Sequence, residues 1–266
     1  MRTTPTTPVV TRYGSYAELP EPILDDALLL VETDPEVLHG AWTVEGGYAF
    51  ASTDAYGGDP CWLSVVAPAE PAALLAEVAL AELGEKCCGI TVPRGLDVIR
   101  RVGREEPGRW DLMRSDVEPP QQPGEERVVH VQDLETVQAF LDRVNPHHSV
   151  RWDHYEVERW LGVADETSGE LSAVGAFTRR PWGTGYLASI ATAPESRGQG
   201  LGAAVTAALT RHAFASEGRL CTLAHYHPND LARRLYLRLG YRTTHQLESS
   251  HFGPGSRGAE HGGERN

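Results

Sequence analysis

The chain has little cysteine, a single lysine and no long apolar run. Four cysteines (Cys61, Cys87, Cys88 and Cys221) occur among 266 residues, and none shows the C-x-x-C spacing of a metal or redox pair. Cys87 and Cys88 are adjacent and point to opposite faces if they lie on a strand. Buried free thiols in a reducing cytosol are therefore expected, not a disulfide or a structural metal. No segment approaches the roughly 18 consecutive apolar residues of a membrane span. The opening MRTTPTTPVVTRYGSY lacks the apolar stretch of a secretory signal and reads as a disordered lead. The glycine-rich tail GPGSRGAEHGGERN reads the same way. These features predict a cytoplasmic protein with no membrane partner. Lys86 is the only lysine, so arginine supplies nearly all of the 24 basic residues. Against them stand 37 acidic residues, for a formal net charge of −13. That sign repels phosphate backbones and argues against nucleic acid. Its plainer reading is solubility, and beside that it favours a cationic small molecule or a basic protein partner.

What is present is two stretches of domain size. The segment DVEPPQQPGEER (116–127) holds three prolines and no apolar face, and marks a linker. It predicts a first domain over 1–117, a linker at 118–126, a second domain over 127–252 and a tail from 253 to 266. In the second, RVVHVQ (127–132) reads as a strand. DLETVQAFLDRV (133–144) places Leu134, Val137, Leu141 and Val144 on one helical face, with Asp133 as cap. WDHYEVERWLG (152–162) reads as a second helix. Strands 171–180 and 185–192 form a hairpin around PWGTG. A glycine-rich loop leads into a helix ending near Glu217. A strand at 220–226, a helix at 229–240 capped by Asn229, and closing strands at 241–252 complete the order. Residues 61–116 repeat the order strand, helix, strand, helix, strand seen from Gly185 onward, as a duplicated domain would. Where the second copy has PESRGQGLGAAV, the first has PAEPAALLA. The first copy has thus lost its arginine and glycines.

The motif richest in chemistry is APESRGQGLGAAV (193–205). The first amides of a helix lack carbonyl partners within it and carry the positive end of its dipole. Glycine at 198, 200 and 202 lets the backbone turn tightly and approach a ligand, and such a site suits phosphate or pyrophosphate. Arg197 adds a charge that can fork onto phosphate oxygens. A nucleotide P-loop is excluded, because Gly202 is followed by Ala203 and Ala204 in place of Lys-Ser/Thr. A dinucleotide fingerprint fits poorly. APES separates the glycines from their strand, and positions 220–225 supply no acidic residue. The histidines of HYH (His225 and His227) would share one strand face, but no third ligand is in place, so no metal is expected.

The run Arg197-Gly-Gln-Gly200-Leu-Gly202 after LASIAT and Pro194 resembles the acyl-CoA-binding loop of the GNAT N-acetyltransferases. Asn229, Ala232, Tyr236, Gly240 and Tyr241 resemble that family's Asn-x-x-Ala-x-x-x-Tyr-x-x-x-Gly-Phe/Tyr helix. The resemblance covers about 127–252. It implies an α/β fold with a mixed, splayed β-sheet flanked by helices, here in two tandem copies with the first degenerate. It implies acetyl-CoA as acyl donor, with pyrophosphate on the amides from Arg197 through Gly198, Gln199, Gly200, Leu201 and Gly202 to Ala203. The pantetheine arm would pair with Ile190, Ala191 and Thr192 where the fourth strand parts from the fifth, and Asn229 would also touch it. An amine would attack the thioester directly, giving a tetrahedral intermediate. Tyr236 would protonate the leaving thiolate.

The general base is left unassigned, because GYLASIAT has no carboxylate where many relatives carry a glutamate. His225 is the first candidate, ahead of His227 and Asp153, with a water relay as an equal alternative. The resemblance places 145–160 and 248–252 near the acceptor. There Trp152, Tyr155 and Trp160 would line a pocket or pack a core, and Asp153, Glu156 and Glu158 would bind a cation or face solvent. The expected acceptor is a small-molecule or peptide amine, the assembly a monomer or homodimer. The competing function is a non-catalytic acyl-CoA sensor using the same loop.

Overall fold

The structure, a computed structural model, describes residues 8–53, 61–102, 106–146, 157–216 and 220–252. In chain order the first elements are β1 (Thr11–Tyr13), α1 (Glu21–Leu24), α2 (Ala27–Glu32), β2 (Gly40–Val44), β3 (Gly47–Thr53), β4 (Cys61–Val66), α3 (Ala69–Leu83), β5 (Cys87–Pro93), α4 (Asp97–Val102) and β6 (Gly108–Ser115). There follow β7 (Val129–His130), α5 (Leu134–Val144), β8 (Val157–Ala164), β9 (Leu171–Arg179), β10 (Gly185–Thr192), α6 (Leu201–Ala215), β11 (Cys221–Tyr226), α7 (Asp230–Arg238) and β12 (Arg242–His251).

Contacts divide the chain into two units, but not at the proline-rich linker. The first unit runs to Trp110 and takes in the segment from His245, and the second spans Asp111–Thr244. The boundary expected at 117/127 is therefore corrected at both ends. Each copy's last strand is divided between the units, so the cut falls inside β6 and inside β12. The reason is hydrogen bonding. Residues Leu247 to His251 pair antiparallel with Pro93 to Gly89 of β5, and the Phe252 amide donates to the Cys88 carbonyl at 2.8 Å. A strand buried in a sheet must satisfy its amides on its neighbour, whatever the chain distance.

In the first unit the strand order is β1-β2-β3-β4-β5-β12. The helix α3 buries Ala72, Leu75, Ala76, Ala79 and Leu83, a spacing that keeps one face on the sheet. Its core includes Trp42, Leu63, Val65, Ile90 and Ile99. The expected disordered lead is corrected in part, since Thr11–Tyr13 pairs with Ala41 to Thr43 and Tyr16 is buried.

In the second unit the order is β6-β11-β10-β9-β8-β7. Asp133 caps α5 as expected, accepting the amides of Glu135 and Thr136. Helix α5 packs Val137, Phe140 and Leu141 against Val174 and Ala176 on one face of β9. Helix α6 packs Val205, Leu209 and Ala213 with Ala173 and Phe177 on the other. Alternate β9 side chains thus serve two helices, and the strand is apolar on both faces. The hairpin β9–β10 forms as expected. The expected helix over 152–162 is corrected: Val157–Ala164 is the strand β8, paired along its length with β9. The expected strand at 127–132 shrinks to Val129–His130, with Glu125–Arg127 in a 3-10 turn.

Candidate active site

The glycine loop has the geometry of an anion cradle, with a division of labour among its glycines. Gly198 (φ +80°) and Gly200 (φ +82°) sit in the left-handed region, and a Cβ at either would meet nothing within 4 Å. They are needed for backbone conformation, not for space. Gly202 is helical, and its Cβ would lie 3.0 Å from Thr192 Oγ1. Gly200 is the N-cap of α6, and its carbonyl accepts from Ala203 at 2.9 Å and Ala204 at 3.0 Å. The Arg197 amide is bonded to the Pro194 carbonyl at 3.3 Å. The expected run of amides from 197 to 203 thus has both ends already bonded within the chain, and Arg197 is exposed.

A cleft of 590 Å³ opens from this loop. Its wall includes Ile190, Ala191 and Thr192 of β10, Arg197, Gly198, Gly200, Leu201, Gly202 and Ala203, and Asn229 and Tyr236. Of the residues expected to hold the donor, Gln199 alone does not line it. Leu231, Leu235 and Arg238 of α7, with Val144 and Asn145 at the end of α5, complete much of the wall and lie outside the sequence motifs. Asn229 both caps α7, through the Ala232 amide at 3.1 Å, and faces the cleft.

The sheet opens beside the cleft. β10 and β11 pair in parallel only from Gly185↔Cys221 to Leu187↔Leu223. On the other side, the β10 register against β9 shifts between Ala188 and Ala191. At this bulge Ser189 has φ +51°, an uncommon conformation for a residue with a Cβ. The parting strands leave a second space of 170 Å³, lined by Tyr186 to Ile190, Ala224 to Tyr226, Asn145, Asn229, Ala232 and Tyr236. Tyr236 borders both spaces and is buried. Burial pushes its phenol above the ordinary tyrosine range, with a smaller contribution from Tyr186. The group stays protonated at neutral pH.

His225 is buried at the end of β11 and lines the second space. Its Nδ1 lies 3.1 Å from the Tyr226 carbonyl. His227 follows β11 and is exposed. Trp160 is only 2% exposed and packs in the core with Val137 and Leu141. Glu158 is engaged by Arg179 at 2.9 Å and His212 at 3.1 Å. The segment 248–252 belongs to the first unit, where Glu248 is buried against Arg109 at 2.9 Å. Trp160 thus follows the core alternative and Glu158 the exposed one. Trp152, Asp153, Tyr155 and Glu156 lie outside the described residues. Among the described residues no three His, Cys, Asp or Glu side chains are grouped to hold a metal ion.

The first unit lacks these devices at the matching place. α3 starts at Pro68 with no glycine, and β4 keeps an unbroken register with β3. Parallel pairing of β4 with β5 runs on to Ser64↔Thr91. Trp62 lies over Gly89 and donates to Thr91 Oγ1 at 2.8 Å.

Residues 127–241 match the model of the acetyltransferase (GNAT) family. This segment is a GNAT acetyltransferase domain. The chain is similar in structure to a GCN5-related N-acetyltransferase from Kribbella flavida, with 20% identity, TM-score 0.53, and 79% of this chain and 88% of that one covered. It is similar also to a GCN5-related N-acetyltransferase from Sphaerobacter thermophilus, with 17% identity, TM-score 0.52, and 81% of each chain covered. At these identities the likeness establishes the fold, and it extends beyond the GNAT segment. No curated protein matches the sequence. Family membership supports acyl transfer as the general chemistry of the GNAT domain. Among the described residues no helix is long and apolar enough to cross a membrane.

Proposed function

We propose that the protein is an acetyl-CoA-dependent N-acetyltransferase that acylates a primary amine by direct attack. One observation carries this reading: the cleft at the glycine loop and the space between β10 and β11 share Tyr236, so a single path leads from an anion cradle to a buried phenol. The amides of 198–202 and Arg197 would hold the diphosphate of the donor. The backbone of Ile190, Ala191 and Thr192, released from β11, is free to pair with the pantetheine amides. Tyr236 would give its proton to the departing sulfur, and a phenol kept neutral by burial is the form that can do so. His225 is the proposed base for the amine. The net charge favours a cationic small-molecule or peptide acceptor, and the four buried free cysteines suit a cytoplasmic setting. The first unit, with its closed strands and glycine-free helix start, would not hold a second donor.

A second reading, a non-catalytic acyl-CoA sensor, draws on the absence of any carboxylate from β10. Calorimetry with CoA, followed by thiol release from acetyl-CoA across a panel of alkylamines, polyamines and peptides, separates the two. The enzyme reading expects binding and turnover on at least one amine. Arg197→Ala should weaken CoA about tenfold or more, the loss of a charged hydrogen bond. Binding without turnover on any amine favours the sensor, and no binding removes both.

A further inference from the structure

The cleft beside the glycine loop runs against the charge of the whole chain. The formal net charge is −13, yet the described wall of the cleft holds Arg197 and Arg238 and no Asp or Glu. Elsewhere in the second unit Arg114, Arg127, Arg143, Arg179, Arg211 and Arg242 each pair with a carboxylate at 3.3 Å or less. Among the described residues no hydrogen bond or ion pair holds the side chain of Arg197 or Arg238, and both residues are exposed. A wall with two uncompensated cations attracts anions. Arg197 belongs to the cradle, but Arg238 stands elsewhere. It is on α7, whose side of the cleft divides into two strips. Asn229 at the cap, Ala232 and Tyr236 border both the cleft and the space between β10 and β11. Leu231, Leu235 and Arg238, spaced four and three apart and so neighbours on one helix face, border the cleft alone. Arg238 is therefore on the strip turned away from the reacting end. Leu235 of this strip adjoins the cradle, since a Cβ at Gly202 would lie 3.7 Å from its Cδ1. Leu231 is 68% exposed on the cleft wall, so an adenine ring laid there would take apolar area out of water.

We propose that Arg238 binds the 3′-phosphate of the donor, with the adenine against Leu231 and Leu235, and so makes the cleft selective for the 3′-phosphorylated coenzyme. This inference rests on the reading of the cleft as a coenzyme A site. Past its diphosphate, coenzyme A carries an adenosine whose ribose bears this second, separate anion. The order of the cleft follows the order of that molecule: the strip at Tyr236 faces the thioester, the cradle faces the diphosphate, and the strip beside the cradle is left for the nucleoside. A guanidinium forks onto two phosphate oxygens, which a point charge does less well. The site is open to solvent, so salt screens this contact.

Calorimetry on the full chain at low salt, comparing CoA with dephospho-CoA, tests this, because the two ligands differ only in the 3′-phosphate. The wild type should bind CoA about tenfold more tightly. Arg238→Ala should abolish that preference by weakening CoA about tenfold while leaving dephospho-CoA unchanged, and the unchanged ligand also shows that the variant is folded. Arg238→Lys should keep part of the preference. Arg197→Ala should weaken both ligands alike and leave their ratio as it was. Added salt should narrow the wild-type ratio toward that of Arg238→Ala. A wild type that binds dephospho-CoA as tightly as CoA overturns the proposal. So does an Arg238→Ala variant that weakens both ligands alike, which would put Arg238 on the diphosphate or in the fold. In both cases CoA still binds, and the parent reading stands. A wild-type chain that binds neither ligand removes that reading instead.

Discussion

Gly202, in the first turn of α6, lies against the diverging end of β10, so close that its missing Cβ would stand 3.0 Å from Thr192 Oγ1. Gly200, two residues earlier, has open space but a φ of +82°. The two glycines should therefore fail for different reasons. Gly202→Ala forces the Thr192 hydroxyl to yield by a few tenths of an ångström, at a cost of about 1 kcal/mol. Gly200→Ala carries left-handed strain of about 1–2 kcal/mol. Adding Thr192→Ala should recover most of the first loss and none of the second. Urea denaturation of the four variants checks this, and equal recovery in both backgrounds would refute the assignment.

Tyr236 joins the cleft to the opened sheet, and its ring also neighbours Tyr241 at 6.1 Å between centroids. Tyr236→Phe keeps the ring and removes the proton. The expected result is a fall in kcat of roughly 100- to 10,000-fold, the usual range for a general acid, with CoA affinity nearly unchanged. Because burial raises the phenol's pKa above 10, the wild-type rate should show no loss from phenol ionisation below pH 10. A large drop in CoA affinity with kcat preserved would instead make Tyr236 a binding residue.

In the first unit Asp26 caps α2 and also meets His245 Nε2 at 3.2 Å. Burial alone would raise its carboxyl, but the His245 hydrogen bond and charge, with the Leu28 amide, outweigh it and hold the group below the usual carboxylate value. A carboxylate depressed in the folded state stabilises above its unfolded pKa of about 3.9 and loses that contribution as pH falls through the folded value. Stability should therefore decline below about pH 4. Asp26→Asn, which still caps a helix, should cost about 1.5–3 kcal/mol at pH 7 and flatten the decline. Urea midpoints between pH 2 and 7 measure both.

The parts of this fold that were legible are those written in short range. Asp133 before an amphipathic run, the glycines around Gly183, and the pairing of Arg197-x-x-Gly200 with Asn229 and Tyr236 each sit within one or two elements. β8 is not legible as a strand because Trp160, Leu161, Gly162 and Val163 are buried in succession, so the sequence shows no period-2 alternation there. The strands of the first 53 residues are not legible in the sequence, since β1 has only three residues and α1 and α2 separate it from its partner β2. The placement of His245 on β5's side of the boundary, and of Asp111 beside His225, depends on pairing between distant segments that no local pattern records. The bulge at Ser189 was likewise invisible, because serine carries no signal for a positive φ. The splay it accompanies came only from the family resemblance.

Cys221 heads β11 with its Sγ accepting from the Tyr241 hydroxyl at 3.2 Å, while that hydroxyl also meets Thr210 Oγ1 at 2.7 Å. Burial pushes the thiol up to about 12. A group whose folded pKa is raised contributes stability that is complete below its unfolded value, about 8.5 for cysteine, and is lost as pH climbs through the folded one. The native thiol should thus resist alkylation at pH 8, where the unfolded chain reacts. Above pH 8.5 stability should fall by at most about 1.4 kcal/mol per pH unit on account of this group. Cys221→Ala should lower stability at pH 7 by leaving a small cavity, yet reduce the slope between pH 8.5 and 10. Buried Tyr236 and Tyr241, also raised, add their own loss only above about pH 10, where unfolded tyrosine ionises. The lower window therefore isolates the thiols. An unchanged slope there in the alanine variant would mean that Cys221 ionises no differently in the folded and unfolded chains, contrary to its burial.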